Sequence, residues 1–277
     1  MIPNTLTCVM DCVVSVGRVR KFLLADELDP STKATCNRLS DLSISVNNVS
    51  VTWPTDVPSE PHLRGLSVHI PRGAFVLVVG PVGSGKTTLL SALISQNVCS
   101  SGTLNVTGSL SYVPAESWIQ HMSVRENILF GSEMREDEYR DTLTACSLEA
   151  DMEQLAYGDE TTIGDRGVTL SGGQRSRVSL ARAVYRNSDV VVVDDVLSAV
   201  DGHVGRNIFD EAFCRKLAGK TRVLATHHTQ YARRPEVDLI IALAPDGSVT
   251  AVGSYKELVE TGYDPVATGL QADGDMT

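Results

Sequence analysis

The chain has 277 residues, of which 42% are hydrophobic, and this excludes a largely disordered protein and allows one large domain with tails. The formal net charge of -10 argues against broad nucleic-acid binding, because such binding needs a basic surface to replace the counterions of phosphates. The six cysteines lack the spacing of a zinc site, and no apolar run reaches the roughly 18 to 20 residues needed to cross a bilayer.

The first thirty residues predict a helix with an apolar stripe, followed by basic residues and then an acidic stretch. Such a stripe covers the core of a soluble protein in most cases, and docking to a membrane surface or a partner is the alternative. The polar stretch from 30 to 40 breaks both periodicities, so we expect a linker there and a folded domain from Asp41. The stripe consists of Leu6, Met10, Val13, Val14, Gly17, Phe22 and Leu23.

Strands and helices alternate after Asp41. The stretches LSISVNNVSVTW and LSVHI alternate apolar with polar residues, which is typical of half-buried antiparallel strands. By contrast, GAFVLVVG, VVVVD and TRVLATH are continuous apolar runs, which are typical of strands buried on both faces of a parallel sheet. The pair DLIIALA and SVTAVG flanks Asp246 and Gly247 and predicts a hairpin.

A stretch from about 116 to 184 is rich in helix formers and predicts a helical subdomain. Within it, Ser123 and Glu126 form a capping box at the start of VRENILF. Together these patterns predict an α/β fold with a mainly parallel sheet, an antiparallel β subdomain and a helical subdomain. We expect the folded domain to span 41–265, between an N-terminal segment 1–40 and a loosely ordered tail 266–277.

The stretch GPVGSGKT matches the pattern G-x-x-x-x-G-K-[ST] and lies between a predicted buried strand and a predicted helix. Glycines let the backbone curl, so that its N–H groups and the helix N-terminus can bind phosphates. Lys86 would reach the β and γ phosphates, and the Thr87 hydroxyl would bind Mg²⁺. A plain glycine turn explains neither residue, so we predict a phosphate cradle. Its residues are Gly80, Pro81, Val82, Gly83, Ser84, Gly85, Lys86, Thr87 and Thr88.

The four valines of VVVVD predict a buried strand that delivers Asp194 to the carboxyl edge of the sheet, beside the cradle. There Asp194 would hold Mg²⁺, directly or through water. The alternative is that the valines are plain core and that the acidic pair is a solvated strand end. Because the cradle is present in the same chain, we favour the metal site.

The stretch LSGGQ, residues Leu170–Gln174, places a serine and two glycines at the start of a predicted helix, another N-terminus that can bind an anion. In the order cradle, LSGGQ and acidic strand, the chain resembles the nucleotide-binding domains of ATP-binding-cassette (ABC) proteins. The resemblance implies a P-loop NTPase core with the ABC ATPase fold, ATP and Mg²⁺ as ligands, and ATP hydrolysis. In that family the LSGGQ signature faces the γ phosphate held by a second domain. The signature residues implied to contact nucleotide are Ser171, Gly172, Gly173 and Gln174.

Two aromatic landmarks follow from the resemblance. Trp53 matches the residue that stacks on adenine, and a core tryptophan is the alternative. His227 matches the histidine near the γ phosphate, while the neighbouring His228 should point elsewhere. The residues implied to be catalytic are Asp195, His227 and Lys86, and those implied to bind the metal are Thr87 and Asp194.

A finer match, in SWIQHMSVRENILFG, DDVLSAVDGHVG and VGSYKELVETG, is to the first nucleotide-binding domain of the multidrug resistance-associated (C) subfamily. It implies a second nucleotide-binding domain and transmembrane domains as partners, at the cytosolic face of a membrane. The first thirty residues are similar to the end of a transmembrane helix and the linker after it. As an isolated piece, the chain would be a soluble monomer, and nucleic acid is not an expected partner.

The chain departs from the family at two positions that bear on hydrolysis. Most ABC ATPases carry glutamate after the Mg²⁺ aspartate as general base, but this chain has Asp195, whose carboxylate stops short by about one carbon–carbon bond, roughly 1.5 Å. The family also has a glutamine three residues before Trp118 that reaches Mg²⁺ and the attacking water, where this chain has Ala115 followed by Glu116. Either Glu116 substitutes or water fills the gap. Asp195 predicts slow hydrolysis at this cradle because a general base must first reach the water. Ala115 also predicts slow hydrolysis, because alanine cannot coordinate Mg²⁺ or water.

Three functions compete at this point. An ATP-driven export motor fits the intact signature, whereas a nucleotide-sensing regulatory domain with little turnover fits Asp195 and Ala115. A soluble ATPase of DNA repair or chromosome organisation would share the cassette. The span between Ala115 and Leu170 is too short for an inserted coiled coil, and the acidic charge also disfavours this third function.

Overall fold

The computed structural model describes residues 2–24, 41–52, 62–94, 99–164 and 170–267. The chain forms two compact units, Met1–Lys33 and Ala34–Thr277. In the first unit, helix α1 spans Ile2–Leu23, carries Arg20 and Lys21 in its last turn, and exposes its side chains from residue 7 onward. Within the described residues, no helix combines the length and the apolar character needed to cross a membrane.

The second unit contains a three-stranded antiparallel sheet in the order β2-β1-β4. These strands are β1 (Leu42–Val51), β2 (Leu63–Pro71) and β4 (Cys99–Val106). On β1 the apolar side chains of Ile44, Val46, Val49 and Val51 are all buried, while Asn47 and Asn48 are exposed. The antiparallel strands predicted from alternation are therefore confirmed for β1 and β2.

The other sheet has six strands in the order β5-β6-β7-β3-β8-β9. The first five are parallel, and β9 pairs antiparallel with β8. Every residue of β3, β6 and β7 is buried, which confirms the strands predicted from continuous apolar runs. The predicted hairpin around Asp246 and Gly247 is also confirmed. The strands are β3 (Phe75–Val79), β5 (Leu110–Val113), β6 (Val190–Asp194), β7 (Thr221–Ala225), β8 (Leu239–Leu243) and β9 (Val249–Gly253).

The parallel sheet is covered on both faces. One core joins it to α2 and the antiparallel sheet, and the other joins it to the helical region and the segment after α7. The helices are α2 (Lys86–Ile94), α3 (Val124–Leu129), α4 (Glu136–Ala145), α5 (Glu149–Gln154), α6 (Gly172–Arg186), α7 (Gly202–Ile208) and α8 (Tyr255–Glu260). Helix α7 continues as a π-helix over Phe209–Lys216. The α/β fold with two kinds of sheet is therefore confirmed.

The predicted capping box begins α3 as expected. The Ser123 hydroxyl accepts from the backbone N–H of Glu126 at 3.1 Å, and a Glu126 carboxylate oxygen accepts from the backbone N–H of Ser123 at 2.8 Å. We expect Ser123→Ala to lower the free energy of unfolding by about 1 kcal/mol, because an N-terminal N–H of α3 loses its acceptor. Chemical denaturation measures the loss. Ser123→Thr is the control because it keeps the hydroxyl, and equal loss in both variants would contradict a capping role.

Candidate functional site

Three loops meet at one edge of the parallel sheet because β3, β6 and β7 are parallel neighbours. The loop after β3 contains the predicted cradle, β6 ends at Asp194, and β7 leads to His227. Parallel strands bring their carboxyl ends to the same edge, where ligands of such sheets bind. The cradle, Asp194 and His227 therefore come together in space.

The cradle folds tightly around its glycines. A Cβ on Gly80 would lie 2.6 Å from Ser84 Oγ and 2.7 Å from the Leu243 carbonyl oxygen, so only glycine fits there. Gly85 has a φ of +89° and ends the loop where α2 begins, with its carbonyl accepting from the Leu89 N–H at 2.9 Å. The loop thus aims the N-terminus of α2 into the site.

Lys86 lies within the cradle. Its Nζ donates to the Gly80 carbonyl at 2.7 Å and to the Pro81 carbonyl at 2.9 Å. Burial lowers the pKa of Lys86, and the charges of Asp195 and Asp194 oppose that shift. The ammonium group is therefore held close to the two carboxylates and to the start of α2.

Asp194 is 2% exposed at the end of β6. Burial raises its pKa, a hydrogen bond from the Thr87 side chain lowers it, the charge of Asp195 raises it, and Lys86 lowers it. Three buried oxygens of this region, Ser84 Oγ, Asp194 Oδ2 and Asp195 Oδ1, have no hydrogen-bond partner among the described residues. Buried oxygens without partners are uncommon and call for an explanation such as an ion. The Thr87 hydroxyl and the Asp194 and Asp195 carboxylates line the cavity, and oxygen donors of this kind are those that Mg²⁺ prefers.

Asp195 faces His227. Its backbone is left-handed, with φ 47° and ψ 33°, and its N–H donates to the Ala225 carbonyl at 2.9 Å. Its Oδ2 lies 3.2 Å from His227 Nδ1, and Ser198 Oγ lies 3.3 Å from the same nitrogen. The Asp195 carboxylate is therefore partly engaged by the histidine.

A cavity of about 440 Å³ lies at this edge. Nine residues predicted for the site line it: Val82, Gly83, Gly85, Lys86, Thr87, Thr88, Asp194, Asp195 and His227. Ala115, which stands where the family has its glutamine, lines the cavity too, whereas Glu116 does not. Gly80, Pro81 and Ser84, which were also predicted for the site, belong to the same loop but do not line the cavity.

The cavity also contains residues that the sequence analysis missed, namely His62, Pro245, Asp246 and Gly247. A Cβ on Gly247 would lie 2.0 Å from the His62 carbonyl oxygen. The residue before β2 and the β8–β9 turn are therefore in close contact. Asp246 and Gly247 were predicted only as a hairpin turn, and no nucleotide-binding motif marks any of the four positions. Trp53, predicted to stack on adenine, lies outside the described residues.

The signature residues lie elsewhere on this domain. Ser171, Gly172, Gly173 and Gln174 form the start of α6, and none of them lines the cavity. The Ser171 hydroxyl accepts from the Gln174 N–H at 3.2 Å and caps the helix. The cavity at the cradle is thus built without the chain's own signature.

Comparison with known proteins agrees with this geometry. The family model described as ABC transporter matches residues 63–198. The chain is 44% identical over 262 residues to ATP-binding cassette sub-family C member 3 of Homo sapiens. The matched region covers 94% of this chain and 17% of that relative. The chain belongs to the ABC transporter family. It contains the ATP-binding domain of a C-subfamily ABC transporter, which is an ATP-hydrolysing domain.

Other C-subfamily relatives match a similar number of residues of this chain. ABC transporter C family member 8 of Dictyostelium discoideum is 40% identical over 265 residues, or 95% of this chain and 16% of the relative. ABC transporter C family member 13 of Oryza sativa subsp. indica is 40% identical over 263 residues, or 95% of this chain and 17% of the relative. The chain therefore spans only a small part of these transporters.

Proposed function

We propose that this chain is the first nucleotide-binding domain of an ABC exporter and that its own cradle binds ATP well and hydrolyses it slowly. ATP binding would clamp it to a second nucleotide-binding domain, whose cradle its signature would complete. Transport would then be driven chiefly by hydrolysis at that second cradle. Transmembrane domains at the cytosolic face of a membrane would be the further partners.

One contrast within the cavity supports this proposal. The binding half has a tightly folded glycine loop, a half-buried lysine and buried carboxylate oxygens without partners. The half that would activate water has the short Asp195, engaged by His227 at 3.2 Å, and the apolar Ala115. A site of this kind favours ATP binding over rapid turnover.

We propose that Thr87 and Asp194 hold Mg²⁺ and that Lys86 exchanges the Gly80 and Pro81 carbonyls for phosphate oxygens. When bound, the ion would neutralise charge on the β and γ phosphates. The backbone N–H groups of the cradle and of the first turn of α2 would orient the triphosphate. His227, with Nδ1 directed to Asp195, would hold that carboxylate near the attacking water.

Single-turnover hydrolysis of ATP by this chain, with and without the second nucleotide-binding domain, tests the proposal. We expect slow hydrolysis alone and a rapid phase at the second cradle on assembly. The regulatory alternative, favoured by Asp195 and Ala115, predicts nucleotide binding with no rapid phase in either case. Brisk hydrolysis by the isolated chain that requires Asp195 would contradict both functions.

Trp53 would bind the adenine base in this proposal. We expect Trp53→Ala to weaken ATP binding by about 1 to 3 kcal/mol, as for stacking of nucleic-acid bases on aromatic side chains. Titration with a fluorescent ATP analogue measures this change, and Trp53→Phe is the control that keeps an aromatic face. An affinity that Trp53→Ala leaves unchanged would assign Trp53 to the core.

A further inference from the structure

A cluster of four polar side chains connects the start of α6 to α5. Its members are Asp151 on α5 and Ser171, Gln174 and Arg177 at the start of α6. Asp151 is 8% exposed as a whole residue, which is unusual for a carboxylate. The cluster therefore places a buried charge directly behind the signature.

Both ends of the Gln174 amide are engaged within the chain. Its Oε1 accepts from the Ser171 N–H at 2.9 Å, which completes the capping box, and its Nε2 donates to Asp151 Oδ1 at 2.9 Å. These two bonds fix the orientation of the amide, because a flipped amide would place a donor against the Ser171 N–H. The position and direction of the Gln174 amide are therefore set by contacts within the chain.

Arg177 neutralises the same carboxylate. Its guanidinium donates to Asp151 Oδ2 at 2.7 Å, and the two side chains are only 13% and 12% exposed. Both oxygens of Asp151 thus have strong donors, one on each side. Removing one member of a buried ion pair destabilises the protein, because the other charge stays buried without a partner. Asp151 therefore couples α5 to the first turns of α6.

The glycines that follow Ser171 occupy different surroundings. A Cβ on Gly172 would meet no atom within 4 Å, whereas one on Gly173 would lie 2.8 Å from the Ala199 carbonyl oxygen. One side of the helix start is thus packed against the loop after β6, and the Gly172 side is open. The open side is where a phosphate of another molecule can approach the N–H groups.

We propose that Asp151 is a positioning residue for the signature and that it acts through Gln174. Asp151 holds the Gln174 amide, Gln174 holds the backbone of Ser171, and the Ser171–Gly172 end of α6 thereby keeps the direction needed to bind the γ phosphate at the second domain's cradle. Gln174 contributes by this support and does not touch the nucleotide. The inference rests on the proposed role of the signature in a two-domain site.

Exchanging the donor and the acceptor tests this chain of contacts in the assembled transporter. Gln174→Glu keeps the acceptor for the Ser171 N–H but sets a second carboxylate against Asp151. Asp151→Asn removes the negative charge between Gln174 and Arg177. The double variant Q174E/D151N restores one amide opposite one carboxylate and leaves the net charge of the cluster unchanged. ATP hydrolysis at the second cradle, ATP affinity of this chain's cradle and thermal unfolding are measured for each.

We expect each single variant to lower hydrolysis at the second cradle by about tenfold or more, since small misplacements of a phosphate-binding group are costly. ATP affinity at this chain's cradle should not change, and the double variant should recover most of the lost rate. If Gln174 contacted the nucleotide directly, the double variant would stay as slow as Gln174→Glu. That result, or normal hydrolysis in both single variants, would overturn the inference. Should Gln174→Glu fail to fold, Asp151→Asn and the double variant give the same comparison.

Gly172→Asp separates this inference from the proposed function. The aspartate has room, because the position is open, and it places a negative charge where the γ phosphate should bind. If Gly172→Asp leaves hydrolysis at the second cradle unchanged, the signature does not complete that site and the proposed function is wrong. If Gly172→Asp abolishes hydrolysis while Gln174→Glu and Asp151→Asn do not affect it, only the role of Asp151 is wrong.

Discussion

Replacing Lys86 with alanine should weaken ATP binding by this chain by about thirtyfold to a few thousandfold. Among the described residues that line the cavity, Lys86 is the one lysine or arginine, and it lies close to Asp194 and Asp195. Without it, a triphosphate would approach two carboxylates with no fixed cation beside them. Truncating one partner of a buried charge pair costs about 2 to 5 kcal/mol, which is about thirtyfold to a few thousandfold in Kd.

Titration with a fluorescent ATP analogue in the presence of Mg²⁺ measures the effect of Lys86→Ala. Lys256→Ala is the matched control, because Lys256 is exposed on α8 and lies 3.9 Å from its ionic partner Glu260. The control should bind ATP as the parent does. Thermal unfolding of both variants shows whether the fold is retained. Undiminished affinity in a folded Lys86→Ala variant would refute the assignment of the cradle.

The phosphate-binding half of the site could be predicted because its signals are local. A glycine loop, a lysine and a threonine stand within eight residues, and the buried valines before Asp194 indicate a central strand by composition alone. Parallel strands then bring the two motifs to one edge. The structure adds the close contacts at Gly80 and the buried oxygens without partners, which sequence patterns do not report.

The contacts that connect distant segments could not be predicted. His62 and Asp246 line the cavity, yet they are separated by more than half of the chain and belong to no nucleotide-binding motif. Asp151 lies among other acidic residues on a short helix, so nothing in the spacing distinguishes the buried carboxylate from its exposed neighbours. Gln174 was predicted to contact nucleotide, and its engagement with Asp151 depends on packing between two helices. Burial decides these roles, and burial follows from tertiary contacts.

Lengthening the base by one methylene should accelerate hydrolysis at this cradle. The Asp195 side chain lines the cavity and is 28% exposed, so a longer side chain can extend into the cavity. A displacement of about 1 Å can change a rate on the order of a hundredfold. We therefore expect Asp195→Glu to raise single-turnover hydrolysis by about tenfold to a hundredfold when the second domain is present.

Ala115, the second departure from the family, limits how far Asp195→Glu can accelerate hydrolysis. Ala115 lines the same cavity and offers no oxygen or amide to the attacking water. We expect Ala115→Gln alone to raise the hydrolysis rate little, because the short Asp195 still restricts proton removal. The double variant with Ala115→Gln and Asp195→Glu should hydrolyse ATP faster than Asp195→Glu alone. Asp210→Glu, at an exposed position that does not line the cavity, is the matched control for an added methylene. If Asp195→Glu gives no gain but the double variant does, Ala115 rather than the base limits this cradle. If neither variant gains, the geometry of the base is not the cause of slow turnover.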